Sequence, residues 1–155
     1  MSTTGLAFQK MKVARALSPL VINDNTAYTV TAFDTSGCHT VTCLIHFGAM
    51  DIAVAALKVQ ESDTLTNSTT LSSGADISGA DFSVSPATLP SATADNTFVA
   101  VTIRVTGARK RYFNLSFTAG DGAAGTYATA FWLAESLDES LNTAAGRGLG
   151  QHLIV

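Results

Sequence analysis

The chain has 155 residues, the size of one domain, with 46% apolar residues, enough for a core, and only 14% charged residues. Ala, Thr, Ser and Gly together supply 71 of the 155 positions, which excludes a charged coiled coil or a highly charged disordered chain. The net charge of −3 and pI near 5.4 argue against a general nucleic-acid binder, and no apolar run reaches the roughly 20 residues of a membrane helix.

Residues 1–18 show no clean periodicity and are expected to form an N-terminal arm carrying Leu6 and Phe8. Lys10, Lys12 and Arg15 precede an apolar stretch that Ser18 and Pro19 interrupt, so no secretion signal is read there. The chain is accordingly expected to be made and folded in a reducing cytoplasm. A short strand is expected at residues 20–22 and a weakly alternating one at 26–33, with turn clusters at 23–25 and 34–37.

The first strong signal follows. Val41, Cys43, Ile45 and Phe47 alternate with Thr42, Leu44 and His46, the pattern of a half-buried strand. Residues 54–60 alternate more weakly through Leu57 and Val59. The interval 61–96 is rich in Ser, Thr, Gly and Asp and contains Pro86 and Pro90. A structureless loop of that length is uncommon in a compact domain. One or two short edge strands are expected within it, one of them around residues 77–84.

The clearest alternations come next, in residues 98–105 and 112–118, joined by Thr106-Gly107-Ala108-Arg109, a hairpin signature. A further strand is expected at 127–134 and a short helix at 134–142. Residues 135–155 read as a C-terminal arm, with a flexible strip at Gly146, Gly148 and Gly150 and an apolar tip of Leu153, Ile154 and Val155. Seven or eight short strands, turn signals and no room for crossover helices predict an all-β fold. The expectation is an antiparallel β-sandwich or jelly-roll-like single domain at 19–134, between arms at 1–18 and 135–155. Val101, Ile103, Phe113, Leu115, Phe117 and Phe131 are expected to line the core.

Candidate chemistry is sparse. Cys38 and Cys43 are five apart, and an odd spacing on one strand points the sulfurs to opposite faces, so two free thiols are expected. His39 and His46 lie nearby, but no CxxC or HxxxH pattern makes a metal site. GxSxG is absent, no acid is spaced to orient a histidine, and Asp121 and Glu135 flank a strand without evident convergence. Residues 120–125, Gly-Asp-Gly-Ala-Ala-Gly, lack the Lys and following helix of a phosphate loop and read as a wide turn. No enzyme activity, cofactor, metal, nucleic acid or membrane is therefore expected. Arg109, Lys110 and Arg111 form the one basic cluster. Together with Leu153, Ile154 and Val155 they are the candidate partner-binding residues, since interface hot spots favour arginine and the apolar tip of the arm is expected to have no partner of its own.

Several segments carry a resemblance. Ala-Leu-Lys-Val-Gln-Glu-Ser-Asp at 56–63, Leu-Pro-Ser-Ala-Thr at 89–93, Gly-Ala-Arg-Lys-Arg-Tyr at 107–112 and Gly-Asp-Gly-Ala-Ala-Gly-Thr at 120–126 resemble small virion structural proteins of tailed bacteriophages. The similarity spans about residues 20–150 of this chain. It implies a head decoration, or cement, protein on the capsid surface of the virion, contacting the major capsid protein and further copies of itself as a homo-oligomer such as a dimer or trimer. It implies no catalytic residue. The competing expectation is a tail or baseplate component that binds a receptor or glycan.

Overall fold

The computed structural model describes residues 10–19, 22–28 and 30–135. Within them lie eight strands: β1 Met11–Leu17, β2 Phe33–Asp34, β3 Thr40–Met50, β4 Ala56–Ser62, β5 Ala75–Asp81, β6 Phe98–Arg104, β7 Tyr112–Thr118 and β8 Thr126–Glu135. They form two four-stranded antiparallel sheets, ordered β1-β8-β3-β6 and β2-β7-β4-β5. The chain is thus a β-sandwich. Four of the pairings are nested, β1 with β8, β2 with β7, β3 with β6 and β4 with β5. The chain is in effect one long antiparallel ribbon folded over on itself, with its tip between β4 and β5.

Period two explains the core. Val41, Cys43, Ile45 and Phe47 on β3 are fully buried, as are Phe113 and Leu115 on β7. These rows meet between the sheets, where Phe47 packs edge-on against Phe117 with ring centroids 5.5 Å apart. Phe33 stacks on Trp132 at 5.9 Å, and Tyr28 on Phe117 at 4.4 Å. The Tyr28 hydroxyl donates to the Thr126 carbonyl and the Trp132 indole N–H to the Thr31 carbonyl, so both polar tips in this cluster are satisfied.

Four expectations need correction. Residues 11–17 are not part of a free arm: they pair with β8 along the edge of the first sheet. A bulge between Arg15 and Leu17 shifts the phase, burying both Ala16 and Leu17, and so hides the alternation. The strand expected at 26–33 shrinks to an isolated bridge from Ala27 to Thr118 and the two residues of β2. Phe131 is 39% exposed, while its neighbour Trp132 is fully buried, so the core phase on β8 is the other one. Ala134 and Glu135 end β8 rather than opening a helix; residues 136–142 lie outside the described residues.

The interval 61–96 contains β5 and a bridge between Leu65 and Leu71. Both cysteines are buried thiols outside any disulfide. The spacing argument for them does not apply, because Cys38 sits in the turn before β3.

Candidate interaction surface

The three basic residues expected to reach a partner sit just before β7, and each is engaged by an acid of the same chain. Arg109 Nη1 donates to Glu61 Oε1 at 3.2 Å and Lys110 Nζ to Asp63 Oδ2 at 2.6 Å. Arg111 grips Asp34 with two donors, at 3.1 and 2.8 Å. The backbone N–H groups of Lys110 and Arg111 also donate to Glu61 and Asp63. The cluster therefore ties the start of β7 to the ends of β2 and β4, and its charge is compensated internally. Charge-assisted hydrogen bonds from Arg111 and Lys110 hold the Asp34 and Asp63 carboxyls below the usual carboxylate range. The acids Glu61 and Asp63 carry a sequence signal that could have found this fastening. They are two apart at the end of a strand, hence on one face, in a chain with few charges.

The glycine-rich turn at 120–125 is also closed by the chain itself. Asp51 accepts the N–H of Ala124, and Asp24 accepts that of Gly122 at 2.9 Å. Backbone donors led by Ala124 pull the Asp51 carboxyl below its ordinary value. Two carboxylates thus occupy the amides that an anion would otherwise use. His46 stacks on Phe98, ring centroids 4.5 Å apart, and the His39 carbonyl accepts the N–H of Val105 at 2.9 Å. Among the described residues, no group of three or more His, Cys, Asp or Glu side chains is placed to hold a metal ion.

What the alternation analysis missed is on the outer face of the first sheet. The inward residues of β3 and β8 leave Leu44, His46, Tyr127, Thr129, Phe131 and Leu133 pointing away from the core. Register sets them side by side. One row runs Ala100, Leu44, Phe131, Arg15; the next runs Thr102, Thr42, Leu133, Val13; a third brings Phe98, His46 and Thr129 together. Phe98 is 66% exposed and Tyr127 40% exposed. The charged side chains in these three rows reduce to Arg15, at the β1 edge. Phe98, Tyr127 and Phe131 are thus exposed on one face with half-buried Leu44 and Leu133, interspersed with Thr42, Thr102, Thr129 and His46. Exposed apolar groups gathered on one face are the kind of feature that marks a docking site.

The signal for it was in the sequence. Both phases of β8 carry apolar residues, whereas a strand with one solvated face should show polar residues in one of them.

Leu153, Ile154 and Val155, the other expected contact residues, lie outside the described residues. No protein-family model matches the chain, and no curated protein sequence matches it.

Proposed function

We propose that the chain is a non-enzymatic structural component of a bacteriophage virion, a decoration protein that docks on the major capsid protein lattice and on further copies of itself. The observation that carries the reading is the apolar outer face of the first sheet, with Leu44, Phe98, Phe131 and Leu133 as its anchors. Aromatic side chains held on a rigid sheet lose little conformational entropy on binding, so they serve well as interface anchors. The internally paired Arg109, Lys110 and Arg111 act in this account as a fastening of the second sheet rather than as a charged probe.

The nested pairing of eight strands supports the same reading. We infer that the sandwich is a jelly roll, since a rolled antiparallel ribbon generates this strand order, and viral shell proteins commonly use that architecture. A decoration protein works by repetition: many equivalent weak contacts on a lattice add up to stable coverage. Copy number per particle tests the assignment. Hundreds of copies support the head shell. A few to a dozen copies overturn it in favour of a tail, baseplate or receptor-binding module.

A further inference from the structure

The two sheets do not close against each other along the β5 and β6 side. Two adjoining cavities, of about 300 and 260 Å³, run along this seam. Their apolar walls come from Ile77, Ala80, Phe82, Val101 and Ile103. Val101 points inward yet stays only half-buried, and both cavities lie against it. Gly79, at φ +81° on β5, presents no side chain here.

The β6 edge beside this groove is unpaired among the described strands. The N–H of Val105 reaches His39, and the Thr97 carbonyl receives Phe47. By antiparallel alternation, the odd residues of β6 face β3, and the backbone groups of Ala100, Thr102 and Arg104 point out of the sheet edge. An apolar groove beside a row of free donors and acceptors is a strand-accepting site.

We propose that this seam is filled by the C-terminal segment of the same chain, with Leu153 and Val155 seated in the groove and their backbone added to the β6 edge. Position argues for it. Glu135 and Arg104 both pair with Thr40 from opposite sides, so the segment departs only two strand spacings, roughly 10 Å, from the mouth of the groove. The 15 residues between Glu135 and Gln151 are enough for the distance, since a chain of that length spans up to about 50 Å when extended.

Direction and charge agree. β6 runs parallel to β8, so a chain that turns back after β8 meets β6 antiparallel, the pairing used throughout this fold. Arg104 is exposed at the mouth, with no acidic partner among the described residues, and Asp138 and Glu139 follow Glu135 by three and four positions. Ile154 and Val155 are strong strand formers, and period two puts Leu153 and Val155 on one side of a strand.

Hydrogen exchange on the full chain, read amide by amide, tests this. The amides of Ala100, Thr102 and Arg104 should be protected by about 100-fold or more over free-chain rates, and equally so at low and high protein concentration. In the full-length double variant Leu153→Asp, Val155→Asp, those three should lose about tenfold or more of their protection, while the amides of Val101 and Ile103, bonded to β3, keep theirs. Free-chain exchange at the three amides in the native protein overturns the proposal, as does equal protection in the variant. Protection that grows with concentration also overturns it, and assigns the groove to a second copy.

Discussion

Arg111 holds Asp34 through a two-pronged contact, Nε to Oδ1 at 3.1 Å and Nη2 to Oδ2 at 2.8 Å, joining residues 77 positions apart in sequence. Single-pronged ion pairs join Lys110 to Asp63 at 2.6 Å and Lys58 to Asp76 at 2.7 Å. In each, the basic partner holds the carboxyl below its ordinary value. A carboxylate with a lowered folded-state pKa adds stability that is fully present above its unfolded value and is lost as pH falls through the folded one. The thermal midpoint should therefore stay nearly flat from about pH 7 to 5 and drop below about pH 4. Asp34→Asn should make that acid drop shallower. A midpoint that rises on acidification from about pH 5 to 3 would contradict the ion-pair account.

The assignment of the core on β8 makes the opposite demand on two adjacent aromatics. Trp132 is fully buried, stacks on Phe33 and donates its indole N–H to the Thr31 carbonyl at 3.3 Å. Trp132→Ala should cost about 3–5 kcal/mol, and Leu115→Ala about 2–5 kcal/mol. Phe131→Ala, on the outer face, should cost much less than either. Urea unfolding of the three variants checks the order, and a larger loss at Phe131 than at Trp132 would reverse the strand phase described above.

That phase marks how far the sequence could be read. β3, β6 and β7 were legible because each sets apolar residues on one side and mostly polar or small ones on the other; the bounds of β7 match the alternation at 112–118. β8 was legible as a strand but not in its facing. Its inward positions are Ala128, Ala130, Trp132 and Ala134, and its outward ones include Tyr127, Phe131 and Leu133. With three alanines and Trp132 inside and Tyr127, Phe131 and Leu133 outside, period two cannot choose the face. β1 escaped detection because its bulge breaks the alternation. The outer face of the first sheet was legible only in the outward residues of β8, because the rest of it is assembled by register across four strands. The basic cluster was legible, and so was the spacing of Glu61 and Asp63, but Asp34 on β2 is 77 positions from Arg111 and only the fold brings it there.

Two glycines carry unequal constraints. A Cβ on Gly120 would lie 2.1 Å from the Ala53 carbonyl oxygen, whereas one on Gly107 would meet nothing within 4 Å. Gly120→Ala should be strongly destabilising, because backbone must move to admit it. Gly107→Ala should be neutral or stabilise by up to about 1 kcal/mol through the unfolded chain. Thermal unfolding of both variants decides this, and a Gly107→Ala loss as large as that of Gly120→Ala would contradict the close approach.

The thiols offer a probe of rigidity. Burial pushes the Cys43 thiol up to about 12, so it stays protonated and unreactive near neutral pH. Cys38, in the turn, should be alkylated ahead of Cys43, and Cys43 only as the fold opens. Mass spectrometry of unreduced, unfolded protein should show both thiols modified. An intact bridge, or Cys43 reacting first in the native state, would contradict the structure.

The central claim is that the outer face of the first sheet docks the protein on its lattice. Phe98 and Phe131 lie on that face, away from the core, so the full-length double variant Phe98→Ser, Phe131→Ser should keep a thermal midpoint within a few degrees of the parent. Its rebinding to head shells stripped of the native protein is the direct measurement. The account predicts an affinity loss of about tenfold or more. Occupancy equal to that of the unsubstituted chain would contradict it.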